Sequence, residues 1–174
     1  MKKNTGKYII IGAIVLLLIM GTATNSFSNL LSFLKKLEED NKAKLTAYND
    51  GYGTWTIGYG SIYNYDEGRP VEEGDTITQQ QAENYLIKEA QEKYDGVKAM
   101  VTVPITNNQL IALSSFAYNE GLEALRTSTL LQELNDGEDI NTVADEFDNW
   151  IYSKGKVSKG LINRRAAEKE LFLS

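Results

Sequence analysis

Apolar residues recur at helical spacing upstream of the first turn-rich region of the chain. The residues that follow this spacing are Leu30, Leu31, Phe33, Leu34 and Leu37. They predict a helix from about Leu30 to Glu38 or Glu39. The polar run 25–29 before it is predicted to be a short connection.

Two threonines carry the sequence signature of a helix start. Thr78 and Thr106 each stand three positions before a glutamine, which is a capping-box pattern. The pattern predicts one helix from Thr78 through about Tyr94 and a second helix that Gly121 ends. Further helical spacing is found over residues 127–135, 140–150 and 161–172.

The stretch Leu45–Gly60 predicts a β-hairpin. Asp50, Gly51 and Gly53 are turn residues, and their flanks are rich in Thr, Tyr, Trp and Ile. With a period of two, one strand face carries Trp55, Ile57 and Tyr59 and the other carries Thr54, Thr56 and Gly58. Thr56 is therefore expected to face the same cleft as Asp50, where the pair can hold a water molecule.

The order of the elements predicts the fold class. The polar stretch 63–75 contains Gly68, Pro70 and Gly74, and it is predicted to be a long turn or a third strand plus a loop. A small antiparallel sheet near the front is then followed by helices. This order is typical of an α+β fold in which the sheet lobe carries part of a cleft.

The N-terminus differs in composition from the rest of the chain. Lys2, Lys3 and Lys7 precede an uncharged, mostly apolar run, Tyr8–Ala23. This layout is typical of an export signal or a short membrane anchor. As a helix, these 16 residues would span roughly 24 Å, which is short for a hydrocarbon core of about 30 Å. A weak hold on the bilayer is expected.

The fate of this segment has two interpretations. Small residues at Gly21 and Ala23 permit cleavage after Ala23, and retention as an anchor is the alternative. We expect residues 1–24 to form the signal or anchor and residues 25–174 to form a single catalytic domain.

The composition limits the chemistry of the chain. It has 174 residues with no cysteine and no histidine, which excludes disulfides, thiolate metal sites, the usual zinc triads and Ser-His-Asp relays. Any catalysis must use carboxylates, hydroxyls, Lys or Arg, and we expect neither a cofactor nor a metal. Beyond residue 23 the chain has 15 basic and 24 acidic residues, a net charge of −9, so no nucleic-acid partner is expected.

Glu38 and Asp50 have the two environments that glycosidic bond cleavage needs. Such cleavage uses one carboxylic acid that donates a proton and one ionised carboxylate on the other side of the sugar. Glu38 follows the apolar Leu37 at a helix end, where it can be partly desolvated, and Asp50 occupies a wet turn. On their own, the two residues are equally consistent with ordinary surface charge.

A family resemblance strengthens this interpretation. Six segments carry it, in the family's order: Ser32–Glu38, Leu45–Asp50, Gly53–Gly60, Ala112–Gly121, Ser128–Leu131 and Gly160–Glu168. Over about residues 30–174 the chain resembles the phage-type lysozymes of glycoside hydrolase family 24. The resemblance implies a lysozyme-like fold with a small antiparallel β-hairpin lobe and a mostly helical lobe, preceded here by the N-terminal hydrophobic helix.

The family's catalytic set is a Glu, an Asp and a Thr, which the resemblance carries over to Glu38, Asp50 and Thr56. The glutamate requires a short insertion between it and the hairpin, and Glu39 is the alternative acid. Ser61 stands where a histidine is frequent in the family.

The resemblance also implies residues that support this set. Arg164 or Arg165 is expected to pair with Glu38, with Arg164 preferred, and helix-surface pairing with Glu168 is the alternative. Asn119 matches a polar position of the family's cleft helix.

The aromatic residues are divided between sugar contact and the core. The candidates for sugar contact lie in turns: Tyr52, Tyr63 and Tyr65. The aromatic residues expected in the core are Trp55, Tyr59, Phe116, Tyr118, Phe147 and Trp150.

The implied activity is that of an endolysin, a muramidase that cleaves the β-1,4 bond between N-acetylmuramic acid and N-acetylglucosamine in peptidoglycan. Glu38 would protonate the glycosidic oxygen while Asp50 and Thr56 hold the attacking water. A lytic transglycosylase and a noncatalytic glycan-binding or virion protein of the same fold are the alternatives. The stereochemical outcome stays open, although an inverting mechanism is assigned to the family's T-even phage member.

The N-terminal run resembles that of signal-arrest-release endolysins. The resemblance implies export, a tether to the inner membrane through residues 8–23, and later release into the periplasm of the host. The expected partners are peptidoglycan and this membrane, and we expect a monomer.

Overall fold

The computed structural model describes residues 25–38, 42–51 and 53–174. The N-terminal apolar run, Glu39 and Tyr52 lie outside these residues, as does the domain boundary expected at residue 24. Within the described ranges, no helix combines the length and the apolar character needed to cross a bilayer.

The first helix, α1 (residues 25–37), begins earlier than predicted. The polar run 25–29 is helical, so its prediction as a connection is wrong. Ser26 and Leu30 are buried, and the ring of Phe27 packs edge-on against Tyr94 with 5.6 Å between centroids. Burial of one face of this turn outweighs its polar composition.

Both capping boxes are confirmed. Helix α2 (Gln79–Met100) begins after Thr78, and helix α3 (Asn107–Glu120) begins after Thr106. In each case the threonine side chain accepts the backbone N–H of the glutamine three residues on, and that glutamine accepts the N–H of the threonine. Gly121 ends α3 with a φ of +95°, as predicted.

Helix α2 extends past its predicted end near Tyr94. Val97 is buried in the core, which keeps the last turns of α2 packed. Gly96 has a packing role in the same turns, because a Cβ there would lie 2.6 Å from both Cδ atoms of Leu122. The glycine therefore sits inside the helix and does not end it.

The remaining helices are α4 (Leu122–Arg126), α5 (Thr129–Asp136), α6 (Ile140–Asp145) and α7 (Lys159–Phe172). Helices α5 and α7 are confirmed and are capped by Ser128 and Ser158. Helix α4 is not predicted. The helix predicted over 140–150 is α6 followed by a 3-10 turn, Glu146–Asn149.

The predicted hairpin is confirmed as strands β1 (Lys44–Asn49) and β2 (Trp55–Gly58), which pair antiparallel with Tyr48 opposite Thr56. The segment 75–77 adds to the other edge of β1. Ala47 N–H donates to Asp75 O at 2.8 Å, and Ile77 N–H donates to Leu45 O at 2.9 Å.

The described residues also form two smaller hairpins. The stretch 63–75, predicted to be a long turn or a third strand plus a loop, contains β3 (Tyr63–Asn64) paired with β4 (Arg69–Pro70). The hairpin of β5 (Tyr152–Ser153) and β6 (Lys156–Val157) is not predicted. Its turn residues, Lys154 and Gly155, have φ values of 48° and 75°, and a lysine is a poor sequence signal for positive φ.

Helix α3 lies at the centre of the helical lobe. All residues from 110 to 117 are buried, and both α2 and α7 pack against it. Such a helix needs small or apolar residues on every side, which Ala112, Ser114, Ser115 and Ala117 provide beside Leu and Phe. The described chain is thus α+β, with small antiparallel hairpins beside a mostly helical lobe, as predicted.

Candidate active site

Glu38 follows the last residue of α1 and points toward the hairpin lobe. Its backbone N–H closes the helix on Leu34 O at 2.8 Å. The side chain is 20% exposed and forms an ion pair with Arg164 of α7. A Cβ at Gly60 would lie 3.4 Å from Glu38 Oε2, so the turn after β2 passes directly over the carboxyl group.

Asp50 is held in the β1–β2 turn by its own backbone contacts. Its Oδ1 accepts the N–H of Thr54 at 3.0 Å, and its N–H donates to Thr54 O at 3.0 Å. Asn49 Oδ1 accepts the N–H groups of Gly51 and Gly53 at 3.0 and 3.2 Å. The turn is therefore well defined although Asp50 itself is exposed.

One cavity of about 280 Å³ brings together Glu38, Asp50, Thr56 and Asn119. Thr56 is only 6% exposed and lies on β2. The other lining residues are Tyr48, Gly60, Ile62 and Tyr118. A carboxyl group at a helix end thus shares a cavity with an exposed carboxyl group and a hydroxyl.

This central cavity continues on both sides. A larger cavity of about 400 Å³ shares Gly60, Ile62, Tyr118 and Asn119 with it and extends to Tyr63 and Tyr65. A third cavity of about 330 Å³ shares Glu38, Asp50 and Asn119 and extends to Ser153 and Ser158. The three cavities form one groove, with the two carboxyl groups in its interior.

The two candidate arginines share Glu168 as a partner but contact different residues of the groove. Arg164 contacts Glu38, and it also donates from Nε to Glu168 Oε1 at 3.2 Å. Arg165 is fully buried, contacts Asn119 Oδ1, and reaches Glu168 Oε2 at 2.9 Å. Glu168 is therefore not a helix-surface partner, since it too is fully buried.

A further carboxyl group in the groove wall is missed by the sequence reasoning. Glu89 of α2 lines the larger cavity. It accepts hydrogen bonds from Ser61 Oγ at 2.6 Å and Tyr118 Oη at 3.1 Å, and Tyr118 Oη also reaches Tyr59 O at 2.9 Å. The available signal is its place four residues after the buried Tyr85, which puts a carboxyl group on a buried side of α2.

Burial governs the protonation of these groups. Desolvation raises the pKa of Glu89 despite the hydrogen bonds from Ser61, Tyr118 and Tyr65, which oppose the rise. Desolvation and the nearby Glu89 raise the pKa of Tyr118 well above its usual value. Desolvation likewise raises the pKa of Glu168, although both arginines oppose the rise. In the groove wall, Glu89 and Tyr118 therefore favour their neutral forms.

The aromatic residues expected in the core are buried there or pack against it. Tyr59, Phe116 and Phe147 are buried, and Trp55 and Trp150 pack at the edge of the core. Tyr118 also packs against the core, and it lines the groove as well. The Tyr118 hydroxyl group bridges α2 and the turn after β2, because it donates to Glu89 and to the carbonyl oxygen of Tyr59.

The described residues contain no group of three or more acidic side chains arranged to hold a metal ion. Around the central cavity, the chemistry available is that of the Glu38 and Asp50 carboxyl groups, the Thr56 hydroxyl and the Arg164 guanidinium group. These groups can donate a proton and hold a water molecule.

Known phage proteins resemble this chain in sequence. The endolysin of Bacillus phage PZA is 47% identical over 120 residues, which cover 69% of this chain and 44% of that protein. The chain therefore spans less than half the length of that relative. The SAR-endolysin of Enterobacteria phage PA-2 is 34% identical over 126 residues, covering 72% of this chain and 73% of that protein.

A solved structure shows the same fold. The endolysin from Escherichia coli O157:H7 phage FAHEc1 superposes with a TM-score of 0.73 at 36% identity, covering 83% of this chain and 90% of that one. The family model described as phage lysozyme matches residues 38–168, which begin at Glu38 and include Asp50, Thr56, Asn119 and Arg164. The chain belongs to the phage lysozyme family.

Proposed function

We propose that this chain is a muramidase of the endolysin type, which hydrolyses the β-1,4 bond between N-acetylmuramic acid and N-acetylglucosamine in peptidoglycan and so lyses the host cell. The observation that carries the proposal is that Glu38, Asp50 and Thr56 all line the central cavity. Family membership supports it, as do the endolysins among the relatives.

In the proposed mechanism, Glu38 donates its proton to the glycosidic oxygen as the bond to the anomeric carbon breaks. Asp50 and Thr56 hold a water molecule that attacks that carbon, and Asp50 accepts the proton that the water loses. Arg164 holds the Glu38 carboxyl group in place. One water is consumed for each bond cleaved: its hydroxyl group goes to the anomeric carbon, Asp50 then passes the proton to solvent, and Glu38 takes a proton back from solvent.

The length of the groove supports action within a polymer. The carboxyl groups lie in the interior, and the groove extends from them toward Tyr63 and Tyr65 on one side and Ser153 and Ser158 on the other. Such a groove can hold sugars on both sides of the cleaved bond. Tyrosine rings at one end suit stacking against a sugar face.

The test is the chemistry of the ends that the protein releases from purified peptidoglycan. Mass spectrometry is expected to find soluble fragments with reducing N-acetylmuramic acid ends. Fragments with 1,6-anhydro ends would show a lytic transglycosylase, and no release would show a noncatalytic glycan-binding protein. Either result would overturn the proposal.

We further propose that residues 1–24 are an export signal that tethers the chain to the inner membrane before its release into the periplasm, and that residues 25–174 form the catalytic domain. The apolar run 8–23 after three lysines supports this division, and so does a SAR-endolysin among the relatives. Without cysteine, control by thiol exchange is impossible, so any control in this proposal comes from the position of the domain relative to the membrane.

A further inference from the structure

A buried cluster of charges lies behind the groove. Its members are Arg164, Arg165 and Glu168 on α7 and Ser115 on α3. The side chains of Arg165 and Glu168 have no solvent exposure, and that of Arg164 has 9%. Burying charges is costly, and replacing such a set by apolar residues is often neutral or stabilising. A stabilising role is therefore a weak explanation for this cluster.

Glu168 is the centre of the cluster. Its Oε1 accepts from Arg164 Nε at 3.2 Å and from Ser115 Oγ at 2.6 Å, and its Oε2 lies 2.9 Å from Arg165 Nη1. One carboxylate thus serves two guanidinium groups. Glu168 therefore neutralises each guanidinium group only in part, and each can also bind a second partner.

The second partners both line the central cavity. Arg164 contacts the carboxyl group of Glu38, and Arg165 contacts the amide oxygen of Asn119. Arg165 also lies 3.5 Å from Glu120 Oε1 and 4.8 Å from the ring centre of Phe116, so its plane is fixed on several sides. The two arginines therefore connect Glu168 to two residues of the groove.

We propose that Glu168 is a positioning residue that divides its charge between Arg164 and Arg165, and through them sets the proton affinity of Glu38 and the orientation of Asn119. The first effect rests on the proposed role of Glu38 as the acid. Glu38 contacts Arg164, and Arg165 is bound to the same Glu168 as Arg164. An acid in the field of two cations with too few countercharges loses its proton too readily to donate it. Glu168 supplies the missing countercharge without entering the groove.

The proposal predicts shifts of opposite sign for two neighbouring variants. Glu168→Gln removes a negative charge, so the alkaline limb of the rate profile is expected to move to lower pH. Arg165→Met removes a positive charge, so the same limb is expected to move to higher pH. Each shift should be about 1 pH unit, as for a unit charge removed about 10 Å away at an effective dielectric constant of about 20. The double variant R165M/E168Q should return to the wild-type position.

The orientation of Asn119 gives a separate readout. Arg165→Met is expected to raise KM about 3- to 10-fold, the value of one hydrogen bond, because Asn119 loses its buried partner. The matched control is Val143→Ala, since Val143 is fully buried in α6 and does not line the groove cavities. That variant should lower the melting temperature and leave both KM and the pH limb unchanged.

The decisive experiment has two parts. The first is kcat/KM against pH on purified peptidoglycan for the wild type and the four variants. The second is the titration of the Glu38 carboxyl group in the same proteins without substrate, followed by its ¹³C chemical shift. Opposite shifts that cancel in the double variant support the proposal. Unshifted titrations, or shifts of the same sign, overturn it.

The design separates this proposal from the proposed function. If the wild type released nothing from peptidoglycan, the function would fail, but the carboxyl titration would still give the predicted shifts. If E168Q did not fold because two buried cations lost their countercharge, R165M and the charge-balanced R165M/E168Q would still have to differ by the predicted shift. Identical titrations in those two variants would overturn the proposal.

Discussion

At the scale of single residues, the two carboxyl groups of the central cavity have different environments. Asp50 is exposed and fixed by the turn, whereas Glu38 is mostly covered and paired with Arg164. The sequence could predict both residues, because one follows an apolar helix and the other occupies a turn. It could not decide between Glu38 and Glu39, and Glu39 lies outside the described residues.

Asp50→Asn tests the proposed role of Asp50 in holding the attacking water. The amide can still accept the N–H of Thr54, so the turn should keep its shape. We expect kcat to fall about 10²- to 10⁴-fold, the usual contribution of a general base, with little change in KM. Asp136→Asn, at the end of α5, is the control and should keep full activity. A D50N enzyme with wild-type kcat would remove Asp50 from the mechanism.

The raised pKa of Glu89 predicts that the free energy of unfolding depends on pH. Its pKa is raised in the folded state, so the folded chain binds this proton more tightly than the unfolded chain. Between the unfolded pKa of about 4.5 and the higher folded value, stability is lost as the pH rises, by about 1.4 kcal/mol for each pH unit. Below that window the loss is absent.

The variant Glu89→Gln isolates this contribution, because it keeps a neutral, hydrogen-bonding side chain. Relative to the wild type, E89Q is expected to gain stability as the pH rises from about 4.5, while Glu168 contributes equally to both proteins. Urea unfolding from pH 4 to 8 measures the difference. A difference in free energy of unfolding that is constant with pH would contradict the assigned cause.

At the scale of elements, the local signals were the most reliable. The capping boxes at Thr78 and Thr106 and the glycine end of α3 are local rules, and the structure confirms them. The misses at residues 25–29 and at the end of α2 depend on distant partners: Phe27 packs against Tyr94, and Gly96 packs against Leu122. The Arg164–Glu38 contact depends on α7 meeting the end of α1, which family resemblance could suggest and local pattern could not.

The cap of α3 gives an element-scale prediction. Thr106→Ala removes the side chain that accepts the N–H of Gln109 at 3.1 Å. We expect a loss of about 1 kcal/mol in the free energy of unfolding, because α3 is the central helix and its first turn loses an acceptor. Chemical denaturation measures it, with Thr102→Ala, an exposed threonine before the helix, as the control. Equal stability of the two variants would contradict the capping role.

At the scale of the whole molecule, the sequence could predict the fold class and the order of the lobes, because hairpin and helix signals lie in separate parts of the chain. The sequence could not predict the hairpin that lines the end of the groove opposite Tyr63 and Tyr65. The β5–β6 hairpin depends on a lysine at positive φ, and Ser153 from that hairpin lines the groove. The cluster around Glu168 also forms only when α7 packs against α3.

The N-terminal segment gives the whole-molecule prediction. If it tethers the chain and is later released intact, the protein recovered from the periplasm after membrane depolarisation should have the full mass of 19.4 kDa. Intact-mass measurement distinguishes this from a cleaved signal. A periplasmic protein beginning near Thr24 would show cleavage and would rule out release of the intact chain.

The most direct test of the account is the activity of Glu38→Gln on purified peptidoglycan, compared with Glu170→Gln, an exposed position on α7. The account predicts that E38Q loses about 10²- to 10⁴-fold in rate with a retained cooperative melting transition, while E170Q matches the wild type. An E38Q protein that releases reducing fragments at the wild-type rate would contradict the account, because the proton would then come from another group.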